Sequence, residues 1–229
     1  MTRRRHRYAK ARRIIYSGLY RRLGSLNRFI QPASYYGIKP GYHHARHSLP
    51  FDDTGNKDEW QDSVYQFALE LFRKNQFNSV IDLGCGSGFK LLKYFSEFVT
   101  TGIEVRQTSA WLRSTYPDRN WIDTEDMIPR KLQTDMVICA DVIEHLSNPD
   151  HLLDAIRSIP CRLILISSPA RELVAGPFTY GPPLNPSHFR EWNGQEFHYY
   201  LSGWFDLQEQ CIFNDRSPTQ VIVCNQKSI

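Results

Sequence analysis

Nine consecutive residues, Val80-Ile81-Asp82-Leu83-Gly84-Cys85-Gly86-Ser87-Gly88, constrain this chain more than any others. Val80 to Leu83 reads as a short buried strand. Three glycines at alternate positions follow it. Phe89-Lys90-Leu91-Leu92-Lys93-Tyr94-Phe95 then predicts a helix. Strand, glycine turn and helix together let backbone approach a ligand closely, because no Cβ intervenes. In an open α/β sheet such a turn sits at the carboxyl ends of the strands, where ligands bind. The spacing is G-x-G-x-G with Phe89 next, not the G-x-G-x-x-G/A that seats a pyrophosphate on a helix N-terminus. That argues against a nicotinamide dinucleotide. The plainer alternative is a glycine turn that only packs strand on helix.

The flanking pattern alternates strands with helices. Val64, Phe67, Ala68 and Leu71 recur at i, i+3, i+4 and i+7 and predict a helix over 62–75. Helices are expected at 88–97 and 106–115, and strands at 99–104, near 119–122 and at 134–140. Asn148-Pro149 supplies a cap and a first helical residue, with Leu152, Leu153 and Ile156 facing inward. A fifth strand is expected over 162–167 and an irregular stretch over 168–192. Asn193 with Glu196 makes a capping-box start for a helix over 194–202. Two closing strands, 204–214 and 219–225, join through Asp215 to Pro218. Strands alternating with helices predict a parallel sheet.

Three features together carry a family resemblance. The glycine turn resembles motif I of the class I S-adenosylmethionine (SAM) methyltransferases. Glu104 lies 22 residues beyond Asp82 at the end of the second strand, where that family places an acid on the ribose hydroxyls. Asp141-Val142-Ile143-Glu144-His145-Leu146 resembles the segment after the fourth strand in many small-molecule and sugar SAM methyltransferases. The resemblance covers residues ~60–225. It implies a three-layer α/β/α sandwich whose seven-stranded sheet is mostly parallel with an antiparallel final strand. It implies SAM as cofactor, held by Asp82, Gly84, Cys85, Gly86, Gly88 and Glu104, with Asp123 at the adenine and Asp141 beside them. Asp123 reads equally as a turn or N-cap residue.

The resemblance implies methyl transfer to an oxygen of a small-molecule or sugar/polysaccharide acceptor. In a helical turn Asp141 would lie over Glu144 and His145. His145 or His188 could then act as general base beside Glu144. His188 stands in Gly181-Pro182-Pro183-x-Asn185-Pro186-x-His188-x-Arg190-Glu191-Trp192, which resembles a loop of bacterial polysaccharide methyltransferases. A second reading comes from the small-RNA 3′-end 2′-O-methyltransferases, which carry a similar E-x-x-E-H set and a distant His. On that reading Asp141, Glu144, His145 and His188 would hold a divalent cation. Asp141 is one methylene shorter than the Glu of those enzymes, which counts against it. A third reading is a non-catalytic interaction subunit, against which the intact glycine turn and Glu104 argue.

Charge divides the chain unevenly. Residues 1–50 hold 12 of the 28 Lys/Arg and none of the 24 Asp/Glu, leaving 16 against 24 in the remainder. We therefore expect residues 1–58 to be a basic N-terminal extension and lid segment, and 59–229 the methyltransferase domain. The basic arm suits an anionic partner, a nucleic acid or a membrane surface. Ile15, Leu19, Leu23, Leu26 and Ile30 would share one helical face, interrupted by Gly18 and Gly24. Tyr35, Tyr36 and Tyr42 are candidates to line a lid. His43, His44 and His47 lack nearby acids or cysteines and read as surface histidines. Nothing resembles a signal peptide or a run of ~20 apolar residues. The five unpaired cysteines read as reduced thiols of a cytoplasmic protein.

Overall fold

A computed structural model describes residues 35–49, 54–55, 60–214 and 216–227. Seven strands form one sheet: β1 (Ser79–Leu83), β2 (Val99–Glu104), β3 (Asn120–Asp123), β4 (Met136–Ala140), β5 (Leu163–Pro169), β6 (Phe205–Asn214) and β7 (Pro218–Gln226). Their order is β3-β2-β1-β4-β5-β7-β6. Strands β1 to β5 pair in parallel, and β7 runs antiparallel to both β5 and β6. This is the expected sheet with its antiparallel last strand.

The two faces of the sheet take different helices, and the strand sequences show why. All five residues of β4 are buried. Val137 and Cys139 join one core with Ile81, Leu83, Ile164 and Ile166, while Met136, Ile138 and Ala140 join the other with Val80 and Leu165. Burial on both faces is what makes such strands read as unbroken apolar runs. The first core receives α4 (Asp150–Ser158) through Leu153 and Ile156, and α6 (Gly194–Ser202) through Phe197 and Leu201. The second receives α1 (Asp62–Lys74), α2 (Phe89–Phe95) and α3 (Arg106–Thr115) through Val64, Phe72, Leu91, Phe95 and Leu112. Phe72 is fully buried, with its ring centroid 5.3 Å from Phe95 and 4.7 Å from Phe98. Truncating such a side chain to Ala costs about 3–5 kcal/mol.

Local signals held closely. The Asn193–Glu196 capping box forms in both directions, at 2.8 and 3.0 Å. At α4 the helix starts one residue late: Pro149 takes the cap position and the Asn148 side chain accepts from the Asp150 N–H at 3.2 Å. The stretch 168–192 contains one short helix, α5 (Arg171–Val174), and a single bridge of Ala170 to Trp192. All five cysteines are free, and all but Cys161 are buried.

Two segments remote in sequence run alongside each other across the carboxyl edge of the sheet. The N–H groups of His43, Ala45 and Leu49 donate to the carbonyls of Tyr180, Phe189 and Pro186 at 2.7, 2.9 and 3.0 Å. Two of the three tyrosines expected at a lid, Tyr36 and Tyr42, do not line the cavity. Tyr42 is buried and accepts from the Glu191 N–H at 3.0 Å, and Tyr36 lies under the Arg190 guanidinium, 4.4 Å from its ring centroid. Their apolar rings fill the space beside Trp192, so they brace the 185–192 loop from behind rather than line the cavity. His43, His44 and His47 are exposed, as expected. The Arg-rich residues 1–34 lie outside the described residues, as does the amphipathic pattern within them. Among the described residues no helix is long and apolar enough to cross a membrane.

Candidate active site

A cavity of about 900 Å³ opens at the carboxyl ends of β1, β2 and β4. Gly84, Cys85 and Glu104 line it, as do Asp141, Glu144, His145, Asn185, Ser187 and His188. Glu104 ends β2 and Asp141 follows β4, with β1 between them. Two strand spacings separate these walls, roughly 10 Å.

The first wall is built by backbone. Gly84 has φ +76°, and a Cβ there would sit 2.3 Å from Val142 Cγ2. The turn lets the Gly86 N–H donate to Glu104 Oε1 at 2.9 Å, while the Val105 N–H donates to Oε2 at 2.8 Å. Two expected cofactor residues stand back from the cavity. Asp82 is fully buried and accepts from the Tyr65 O–H at 2.9 Å, and it is Tyr65 that reaches the cavity wall. Burial, then the charge of Asp82, pushes the Tyr65 phenol far up, so it stays protonated as a donor. Asp123 is buried and accepts from Arg106 Nε at 3.1 Å and from the Glu125 N–H at 2.9 Å, the pattern of a turn aspartate. Its neighbours Thr124 and Met127 line the cavity.

Asp141 does not stack over Glu144 and His145. It adopts φ +53°, a left-handed conformation costing a non-glycine residue on the order of 1–3 kcal/mol. Only the three residues Ile143–His145 form a 3₁₀ turn, so the predicted helical register never begins. The Asp141 carboxylate instead accepts from Ser167 Oγ at 2.6 Å and Gln61 Nε2 at 3.0 Å. Gln61 is itself left-handed, at φ +64°.

The second wall is built by side chains. Glu144, His145 and His188 each offer a donor atom within 4.8 Å of the others. His145 Nδ1 lies 2.8 Å from the Ser187 carbonyl and His188 Nδ1 lies 2.6 Å from Glu191 Oε1. Both partners are acceptors, so each Nδ1 carries the proton and each Nε2 presents a lone pair. His188 Nε2 also meets the Asn185 amide at 3.0 Å. Among the described residues neither Glu144 oxygen is in hydrogen-bond geometry with a donor. Burial, then the charge of Asp141, raises the Glu144 carboxyl well above its usual range; the Ser168 hydroxyl offsets little of this. Burial, then His188, lowers His145 to about 4, so its ring is neutral at physiological pH.

Arg190 and Arg171 hold this wall in place. Arg190 donates to the Leu146 and Ser147 carbonyls, both at 2.7 Å, tying the 185–192 loop to the turn that carries Glu144. Arg171 is buried, pairs with Glu196 at 2.7 Å and donates to the Glu191 carbonyl at 2.7 Å.

The sequence matches a methyltransferase-domain family over residues 53–212. The chain belongs to that family. It is a SAM-dependent methyltransferase. The fold is shared with solved structures at low identity. The methyltransferase domain of bacterial CtHen1-CN is 21% identical, with 73% of this chain and 99% of that one covered and a TM-score of 0.55. Magnesium protoporphyrin IX methyltransferase from Synechocystis PCC 6803, solved with bound SAH, is 12% identical, covering 73% and 84% with a TM-score of 0.54. The small RNA methyltransferase HEN1 is 16% identical over 80% of this chain and 27% of that one, with a TM-score of 0.56. No curated protein sequence matches this methyltransferase.

Four residues that matter here were absent from the sequence expectations. Asn185 and Glu191 lay within the quoted loop motif, beside His188. Gln61 and Tyr65 carried no local signal, because their role depends on how α1 is rolled against β1.

Proposed function

We propose that this methyltransferase acts on a hydroxyl oxygen of a small-molecule or glycan acceptor, with the acceptor's proton taken at the Glu144–His145–His188 wall. One observation carries the reading: a buried carboxylate and two imidazoles converge, their donor atoms within 4.8 Å of one another, in the cavity that the glycine turn also lines. Bound SAM supplies an electrophilic methyl carbon. Glu104 and the Gly86 amide orient the ribose end, while Tyr65, its O–H donated to Asp82, turns its oxygen to the cavity wall as an acceptor. Burial gives Glu144 a high proton affinity and His145 a low one. In its ionised form Glu144 is thus the stronger base of the two and takes the acceptor's proton, while the histidines orient the acceptor oxygen. A cavity of about 900 Å³ suits a cofactor together with a small acceptor group.

A second reading adds a divalent cation on Glu144, His145 and His188. The three donors fit one: a carboxylate without a donor and two imidazoles whose Nδ1–H groups are tied to a carbonyl and a carboxylate, as metal-binding histidines usually are. A cation there would lower the acceptor hydroxyl's pKa. Two nitrogens and one oxygen favour Mn²⁺, Fe²⁺ or Zn²⁺ over Mg²⁺. Asp141, bound elsewhere, is outside this set. RNA 3′ ends join the acceptors to test on the likeness to the small-RNA enzymes.

The test is labelled transfer from methyl-tritiated SAM to a panel of sugars, polysaccharide fragments and short RNAs, after EDTA treatment and with Mn²⁺ restored. An alkali-stable methyl ether, abolished in Glu144→Gln while calorimetric SAM affinity is kept, supports the reading. An alkali-labile ester, an N-methyl product, or full activity in Glu144→Gln overturns it.

A further inference from the structure

The laced segments 36–49 and 173–190 form one rim of the cavity, and their composition is unlike the rest of the body. Neither contains an Asp or Glu, whereas the chain beyond residue 50 holds 24 acids against 16 Lys/Arg. Backbone hydrogen bonds from His43 to Tyr180 and from Leu49 to Pro186 place the two segments side by side. From this shared edge four large apolar side chains face water: Phe178 is 88% exposed, Leu184 71%, Leu49 59% and Tyr180 50%. Phe178 and Leu184 sit on a loop without regular structure, so no helix or strand requires apolar residues there. Leu49 and Asn185 also line the cavity, so the apolar rim and the cavity mouth are continuous.

Exposed apolar side chains cluster where a protein meets another apolar phase. The charge of the adjoining sequence says which phase. Arg46 is exposed on the same rim, and the chain preceding it, residues 1–34, carries ten Lys/Arg and no acid. Apolar side chains flanked by cations are what an anionic bilayer interface takes up: the side chains enter the headgroup layer and the cations meet lipid phosphates. A nucleic acid would use the cations and could stack on Phe178 and Tyr180, but the aliphatic Leu49 and Leu184 give a base nothing to stack on and suit lipid better.

We propose that this rim is a membrane-docking surface for anionic lipid headgroups, which sets the cavity mouth against the bilayer. The surface is independent of the atom that receives the methyl group.

The experiment is flotation of the full-length protein with vesicles of phosphatidylcholine alone and of phosphatidylcholine with phosphatidylglycerol. The expected result is partition onto the anionic vesicles only, weakened by salt. Phe178→Ser/Leu184→Ser should reduce that partition on the order of tenfold, because both inserting groups are lost. Both residues are exposed, so calorimetric SAM binding should be unchanged, which reads the fold and the cofactor site separately. Failure of the wild-type protein to float with anionic vesicles overturns the proposal. So does flotation of the double variant equal to wild type. Salt-sensitive binding of an RNA oligonucleotide that is unaffected by the double variant, without flotation, would reassign the rim to nucleic acid.

Discussion

The two walls of the cavity are made in opposite ways. The first wall uses backbone: a glycine turn after β1 whose amide meets the acid ending β2. The second gathers side chains from residues 144–145 and 185–191, braced by residues 36–42 and by two buried arginines. Backbone geometry comes from sheet register and needs little support. A buried carboxylate beside two histidines does not assemble unaided, because unpaired buried charge opposes folding. The second wall thus carries the buried, unpaired charge, and the first does not.

The largest effect that would separate the walls is Glu144→Gln. Methyl transfer should fall about 10²–10⁴-fold while SAM affinity stays at wild type. Stability should move the other way. The raised folded pKa of Glu144 stabilises the native state below its usual 4.5, and that contribution is lost as pH rises through the folded value. In metal-free protein the variant should therefore melt higher than wild type at neutral and alkaline pH, the gap opening above about 4.5. Equal melting temperatures across that range would contradict the buried-charge account.

Gly84→Val tests the other wall. Its Cβ would press on Val142 from a left-handed backbone, so calorimetric SAM affinity should drop by about two orders of magnitude. Mn²⁺ titration of the three-residue cluster, read by electron paramagnetic resonance, should survive if the walls are separable. Val142 adjoins the 3₁₀ turn, so simultaneous loss of Mn²⁺ binding would show the walls to be coupled.

Arg190→Met should cost about 2–3 kcal/mol in denaturant unfolding, because it removes two charge-assisted bonds from a buried guanidinium to the Leu146 and Ser147 carbonyls. It should raise the acceptor KM far more than the SAM KM. A larger SAM effect would mean that the arginine serves the whole cavity.

The smallest effect is on the acid limb of the stability curve. His145 is held at about 4 in the fold against its usual 6.5, so its contribution is complete above 6.5 and is lost as pH falls toward 4. Allowing for its partial exposure, this is on the order of 2 kcal/mol. His145→Gln should flatten that limb, as chemical denaturation at stepped pH would reveal.

Much of this was legible in the chain itself. The glycine turn, Glu104 at the end of β2, the capping box at Asn193 and the antiparallel closing pair all rest on signals within a few residues of one another. Such signals depend on φ preferences, caps and burial period, which are local properties. The convergence of Glu144, His145 and His188 was suggested only by resemblance. The helical register assumed for Asp141 failed because a strained left-handed residue, held by Ser167 and Gln61 from two other elements, ended β4. Sequence alone determined the sheet, its order of elements and the cofactor turn. Tertiary structure alone decided which carboxylate is left without a hydrogen-bond donor, which acceptor holds the Nδ1 of each histidine, and that residues 36–42 brace the 185–192 loop. The reason is physical: proton placement and buried charge depend on partners more than 40 residues away, as Ser187 is for His145, and no local preference encodes such a partner.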